Sequence, residues 1–301
     1  MKNFIITILV IALVGLGIYF LIPKSSPVLD TTQQKNNTQS NTNTNNTQKP
    51  DKTEAKEVVI GKSVQGKDIV AYNYGQGDKR ILFVGGIHGG YEWNTTLVAY
   101  QLMDYLNANP SAIPSNVKVT VIPVLNPDGL SKVATTTVKF TKADISASQK
   151  VQIAGRYNAN TVDLNRNFDC DWKSVGKWQS LDVSGGSYAF SEPESMAIKN
   201  YVGAHNISTA VVWYSSAGGV YASSCDGAIL PQTTAIASVY SAASGYKNFQ
   251  SFDFYKTTGD MTNWFAKNNI PAISVILTTH VDTEWNKNVK GIDALLQYFA
   301  K

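Results

Sequence analysis

The sequence predicts an α/β domain built on a mixed, mostly parallel twisted sheet with helices on both faces. Short apolar runs such as RILFV at residues 80–84 and AISVIL at 272–277 read as strands buried on both sides, as parallel sheets require. Longer stretches between them carry apolar residues three and four apart, the period of a helix with one buried face. Strand-like and helix-like segments then alternate along the chain, the pattern of helices crossing from one strand to the next.

The chain of 301 residues opens outside that domain. Residues 4–22, FIITILVIALVGLGIYFLI, are apolar over a length that spans a bilayer core. Pro23-Lys24-Ser25 follows with no small-x-small cleavage site, so residues 1–24 read as an uncleaved membrane anchor. Residues 25–56 include TTQQKNNTQSNTNTNNTQKP, which has nothing to bury and reads as a disordered tether. An anchor followed by a long polar tether suits a domain on the extracytoplasmic side of a cell membrane. Residues 57–301 form one globular domain with enough chain for a sizeable core. The formal net charge of +4, with no Lys/Arg block, does not support a nucleic-acid partner.

Within the domain, residues 80–84 predict a buried strand. Residues 93–107 predict a helix, with Val98, Leu102, Tyr105 and Leu106 on one face. Residues 117–125 predict a second strand, closed by the turn Asn126-Pro127-Asp128-Gly129. Ser191-Glu192-Pro193-Glu194 opens a helix, with Ser191 as N-cap and Glu194 completing a capping box. A strand at 209–214, helices at 232–244 and 260–268, a strand at 272–277 and a closing helix at 285–300 complete the order. Cys170 and Cys225 lie in loops: exported, they suit one disulfide; in the cytosol they stay thiols.

In such sheets, sites gather at the carboxyl ends of strands. His88 follows the first strand in GGIHGGYEWNT, with Glu92 four residues on and glycines on both sides of the histidine. Imidazole nitrogen and carboxylate oxygen are both good zinc ligands, and a catalytic zinc takes three protein ligands and one open position. A second cluster is Arg156 followed by VDLNRNF at residues 162–168, a dense set of donors suited to a carboxylate.

The stretches GGIHGGYE, LNPDG, VDLNRNF, SEPES and Tyr255 followed by GDMTNW occur in that order. Together they resemble the M14 family of zinc metallocarboxypeptidases over essentially all of residues 57–301. The resemblance implies a zinc-dependent peptidase acting on peptides with a free C-terminus. It implies His88 and Glu92 as zinc ligands and Arg156 as the cation that stabilises an oxyanion. It implies Asn165 and Arg166 holding the terminal carboxylate, with Tyr255 closing over it. Asp260 and Thr262 would lie near the side-chain pocket, where Asp260 favours an amine-bearing residue.

Three positions depart from the family pattern. The His88–Glu92 spacing is one residue longer than the family's His-x-x-Glu. Ser215 stands where a third zinc ligand is expected, in YSSAGG, and a neutral hydroxyl is a poor substitute for imidazole. Ile276 stands where the family has its general-base glutamate, between apolar Val275 and Leu277. General-base catalysis is worth about 10²–10⁴-fold. The nearest titratable groups follow in THVDTEW: His280, Asp282 and Glu284. One expectation is a degenerate member that binds the C-termini of envelope or cell-wall peptides without cutting them. The other is an active enzyme with His280 as third ligand and Glu284 or Asp282 as base. Because the substitutions spare the carboxylate grip, the first is preferred. A serine hydrolase is disfavoured by the lack of a G-x-S-x-G elbow.

Overall fold

The structure is a computed structural model that describes residues 54–136 and 138–301. The expected anchor at 1–24 and nearly all of the expected tether at 25–56 lie outside the described residues. Among the described residues no helix is long and apolar enough to cross a membrane.

The chain enters with β1 (Glu57–Lys62) and β2 (Asp68–Gly75), an antiparallel pair preceded by Glu54, which ion-pairs with Arg80 and Lys118. Next come β3 (Lys79–Val84), α1 (Trp93–Ala108), β4 (Val117–Ile122) and the short helices α2 (Pro127–Ser131) and α3 (Gln149–Ala154). A small hairpin of β5 (Val175–Trp178) and β6 (Leu181–Ser184) precedes α4 (Pro193–Ala204) and β7 (Ile207–Ser215). The last third holds β8 (Gly219–Ala222), α5 (Pro231–Ser244), β9 (Asn248–Phe249), α6 (Met261–Lys267), β10 (Ala272–Leu277) and α7 (Trp285–Phe299).

Eight strands form one sheet in the order β1-β2-β4-β3-β7-β10-β8-β9. Its centre, β4-β3-β7-β10, is parallel throughout, and the antiparallel pairs lie to either side. Side chains alternate between the faces of a strand. Leu82, Val84, Ala210, Val212 and Ile276 therefore pack with Ile198 and Tyr201 of α4 and Phe265 of α6. Ile81, Phe83, Val211, Trp213 and Val275 pack on the opposite face with Leu102 of α1, Tyr240 of α5 and Leu295 of α7. Helices cover both faces, as the apolar strand runs predict.

Three local differences from the sequence reading have plain causes. No capping box forms at α4: Glu192 is the N-cap residue, and Glu194 instead accepts from the Val64 N–H and from Asn158. Asn126 converts the expected turn into the start of α2, its side chain accepting from Gly129 N at 2.8 Å. The flanking strands β1, β5, β6 and β8 are short, and three of them are half exposed, so they carry little periodic signal.

Cys170 and Cys225 are joined in a disulfide, Cα atoms 6.0 Å apart, across 55 residues of chain. Closing a loop of that length stabilises the fold by about 2–4 kcal/mol, chiefly by restricting the unfolded chain. It ties the loop after DLNRNF to the loop after β8.

Candidate active site

A cavity of about 1000 Å³ opens at the carboxyl ends of β3, β7 and β10. It brings together His88, Glu92, Arg156, Asn165, Arg166, Ser215, Tyr255, Asp260, Thr262, Ile276 and His280 from segments far apart in the chain. Asp282 and Glu284 are not part of its lining.

His88 lies just past β3 in a turn where Tyr91 N donates to His88 O. Gly89, at φ +45°, makes this possible. A Cβ there would come within 2.7 Å of Gly155 O, so the loop packs against residue 155 only as glycine. The turn carries Glu92 back to the imidazole despite the four-residue spacing: Nδ1 is 2.9 Å from Glu92 Oε1. On the other side of the ring, Nε2 is 3.2 Å from Asp163 Oδ1. Neither approach is aligned as a hydrogen bond, so both ring nitrogens and Glu92 Oε2 are buried without a hydrogen-bond partner. This pair has the donor chemistry zinc takes. A carboxylate behind the second ring nitrogen is the usual outer support of a metal-binding imidazole.

Asp163 and Arg156 are both about fully buried, and they neutralise one another. Arg156 Nε and Nη2 lie 3.0 and 2.8 Å from Asp163 Oδ2, and Nη1 is 3.7 Å from Glu92. Burial alone raises the Asp163 pKa, but Arg156, His88 and Arg166 outweigh it and hold the carboxyl well below its usual range. Trp178 of the β5–β6 hairpin stacks 4.5 Å above the Arg156 guanidinium, with the Tyr91 ring 5.7 Å away. Asp163 was legible in DLNRNF only as a neighbour of the carboxylate-binding pair. Trp178 and Tyr91 left no sequence signal.

A third ligand that projects from β7 onto the face carrying Ile276 would stand at residue 214, not at Ser215. Strands β7 and β10 pair Tyr214 with Ile276 and Ser215 with Leu277, so Tyr214 shares the inward face with Ile276. Its ring centroid lies 5.8 Å from that of His88, and its hydroxyl donates to Asn165 Oδ1 at 3.1 Å. Burial raises the Tyr214 hydroxyl pKa well above its ordinary value, so the group stays neutral. Ser215 turns aside, 3.1 Å from Asn94 Oδ1 and 2.8 Å from His280 Nδ1. The period-two alternation Ala210, Val212, Tyr214 was the signal that could have found this register. Among the described residues no three His, Cys, Asp or Glu side chains are arranged to hold a metal ion. His88 and Glu92 fit zinc; the third donor does not.

At the expected base position, Ile276 faces the cavity. Glu284 is held elsewhere, accepting from Thr278 N, Thr278 Oγ1 and Tyr246 Oη and pairing with Lys287. Asp282 is exposed and accepts from Glu284 N. Of the three groups in THVDTEW, His280 alone reaches the cavity.

The residues expected to hold a terminal carboxylate lie together in the cavity lining. Arg166 donates from Nε and Nη2 to Lys177 O and from Nη1 to Asn165 O. A guanidinium has five N–H groups, so one remains on each Nη, the spacing a carboxylate takes bidentately. The Tyr255 ring lies 5.9 Å from this guanidinium. Asn165 is more committed: Nδ2 donates to Asp260 Oδ2 at 2.8 Å, and Oδ1 accepts from Met261 N and Tyr214. Asp260 caps α6, accepting from Asn263 N at 2.9 Å and Thr262 Oγ1 at 2.6 Å. Gly259, at φ +63°, seats this loop on Arg166: a Cβ would meet Arg166 O at 2.2 Å.

Comparison with known proteins bears on the family and the fold. The family model described as zinc carboxypeptidase matches residues 40–285. Metallocarboxypeptidase A of Trichophyton tonsurans is 30% identical over 183 residues, 54% of this chain and 41% of that protein. Carboxypeptidase B of Astacus astacus is 30% identical over 151 residues, covering 48% of each. The chain thus spans about half or less of the length of these relatives. Among solved structures, carboxypeptidase A from Helicoverpa armigera superposes with a TM-score of 0.63 at 18% identity, covering 81% of this chain and 68% of that one. Murein-tripeptide amidase MpaA from Escherichia coli O157 gives 0.56 at 19% identity, covering 80% and 91%.

Proposed function

The chain belongs to the zinc carboxypeptidase family, and from that premise we propose that it binds the C-termini of envelope or cell-wall peptides without cleaving them. One contrast carries the proposal. Among the described residues Arg166 has one N–H left on each Nη and lines a cavity that also holds Tyr255 and Asp260, while Tyr214 and Ile276 stand at the expected metal and base positions. Holding a terminal carboxylate needs the first set; hydrolysis needs the second. Asp260, buried in the lining, favours an amine-bearing terminal residue. The resemblance to a murein-tripeptide amidase supports a cell-wall peptide as ligand. The expected anchor and tether would hold the domain at the outer side of a cell membrane, and the disulfide suits that setting.

Calorimetric titration tests this with a peptide ending in lysine, its C-terminal amide, and a matched peptide ending in leucine. The free acid is expected to bind, the amide to bind at least tenfold more weakly, and the leucine peptide to lose affinity. Arg166→Met should weaken the free acid by about 10–100-fold, the scale of a charge-assisted hydrogen-bonded pair. Equal binding of acid and amide would sink the proposal.

His280 supports a second reading, an active zinc enzyme that takes its third donor from this histidine, because it reaches the cavity. Metal analysis separates the two. Stoichiometric zinc surviving dialysis, and lost in His280→Ala, belongs to the second reading alone.

A further inference from the structure

Ser215 lines the cavity and Asn94 stands behind it, neither with a task in either reading. Asn94, at the start of α1, is fully buried. Its Nδ2 donates to Thr279 O at 2.7 Å and Asp282 O at 2.9 Å, in the loop after β10. Carbonyls only accept, so the amide nitrogen must lie on that side and Oδ1 must face Ser215. The 3.1 Å contact from Ser215 Oγ to Asn94 Oδ1 therefore takes the hydroxyl's single proton. With that proton committed, Ser215 Oγ can only accept at its second contact, 2.8 Å from His280 Nδ1. Nδ1 must then carry the hydrogen.

A neutral imidazole donates from one nitrogen and accepts at the other. We propose that Asn94 and Ser215 are positioning residues that lock His280 as the Nδ1–H tautomer, so that Nε2 meets a bound ligand as acceptor for an amide or ammonium N–H. Nε2 makes no hydrogen bond or ion pair among the described residues, and the ring lies against Tyr91 at 4.6 Å. The same relay removes Ser215 from nucleophilic chemistry, since its proton goes to an amide oxygen and not to the imidazole. The ligand part rests on the peptide-binding proposal above; the tautomer does not.

Nitrogen NMR of the ¹⁵N-histidine-labelled full chain, assigned with His280→Gln, reads the tautomer directly. The expected spectrum has hydrogen on Nδ1 and none on Nε2 at neutral pH. Ser215→Ala should shift the population toward Nε2–H, and Ser215→Thr should restore the parent pattern. Nε2–H in the parent, or an unchanged spectrum in Ser215→Ala, overturns the lock. In the binding arm, Ser215→Ala should weaken a lysine-terminated tripeptide about 3–10-fold. A switched tautomer with unchanged affinity overturns the ligand contact. A parent that binds no peptide sinks the functional proposal, while the spectrum still decides the lock.

Discussion

The double variant Tyr214→His, Ile276→Glu is expected to retain stoichiometric zinc and to cleave C-terminal residues about 10²–10⁴-fold faster than the parent. The lower bound follows from the typical worth of a general base; a missing metal ligand adds to it, since even an outer partner changes affinity about 10–100-fold. A histidine at 214 would project from β7 on the face that carries residue 276, beside His88. Zinc, when bound, would polarise the scissile carbonyl, while residue 276 would hold the proton of the attacking water. The control is Ser215→His, Ile276→Glu. It should gain little, because position 215 points to Asn94 and His280. Residual zinc by atomic absorption and release of a C-terminal lysine measure both. No gain in the first variant would mean that the site has drifted beyond two residues, Tyr214's hydrogen bond to Asn165 being the next suspect.

Asp163→Asn is expected to destabilise the domain by about 3–5 kcal/mol, read as a lower urea midpoint. Removing one partner of a buried ion pair leaves the other charge uncompensated, and Arg156 has no solvent to turn to. The pH dependence has a fixed sign. Arg156 holds the folded-state pKa of Asp163 below the ordinary aspartate value, so its contribution is complete above that ordinary value and is lost as pH falls through the lower folded value. The stability gap between parent and variant should therefore be constant from neutral pH down to about pH 4 and narrow below it. A gap that narrows on going from pH 7 to pH 5 would show that another group carries the effect.

The central strands were readable because each is apolar on both faces: residues 80–84 and 272–277 match β3 and β10 almost to the residue. The antiparallel hairpin of β1 and β2 was not, because EVVIGK is half exposed and DIVAYNYG mixes polar and apolar positions. In the candidate site, His88, Glu92, Arg156, Asn165 and Arg166 sit in two short motifs, and a motif survives reading without coordinates. Tyr214 sits in none. Its role depends on which face of β7 looks inward, and one residue of register reverses that answer. Glu284 shows the opposite error: near Ile276 in sequence, it is drawn away by Thr278, Tyr246 and Lys287. Proximity along a loop says little about where a carboxylate finds its donors.

The stacking of Trp178 on Arg156 has a practical consequence. Of the chain's six tryptophans, Trp178 is the one in the cavity lining, and its indole lies against the buried cation. Anything that enters and alters that cation's surroundings changes the light this indole emits. The domain is thus its own occupancy meter: fluorescence should shift on adding a lysine-terminated peptide to the parent and stay flat in Trp178→Phe, with no label attached.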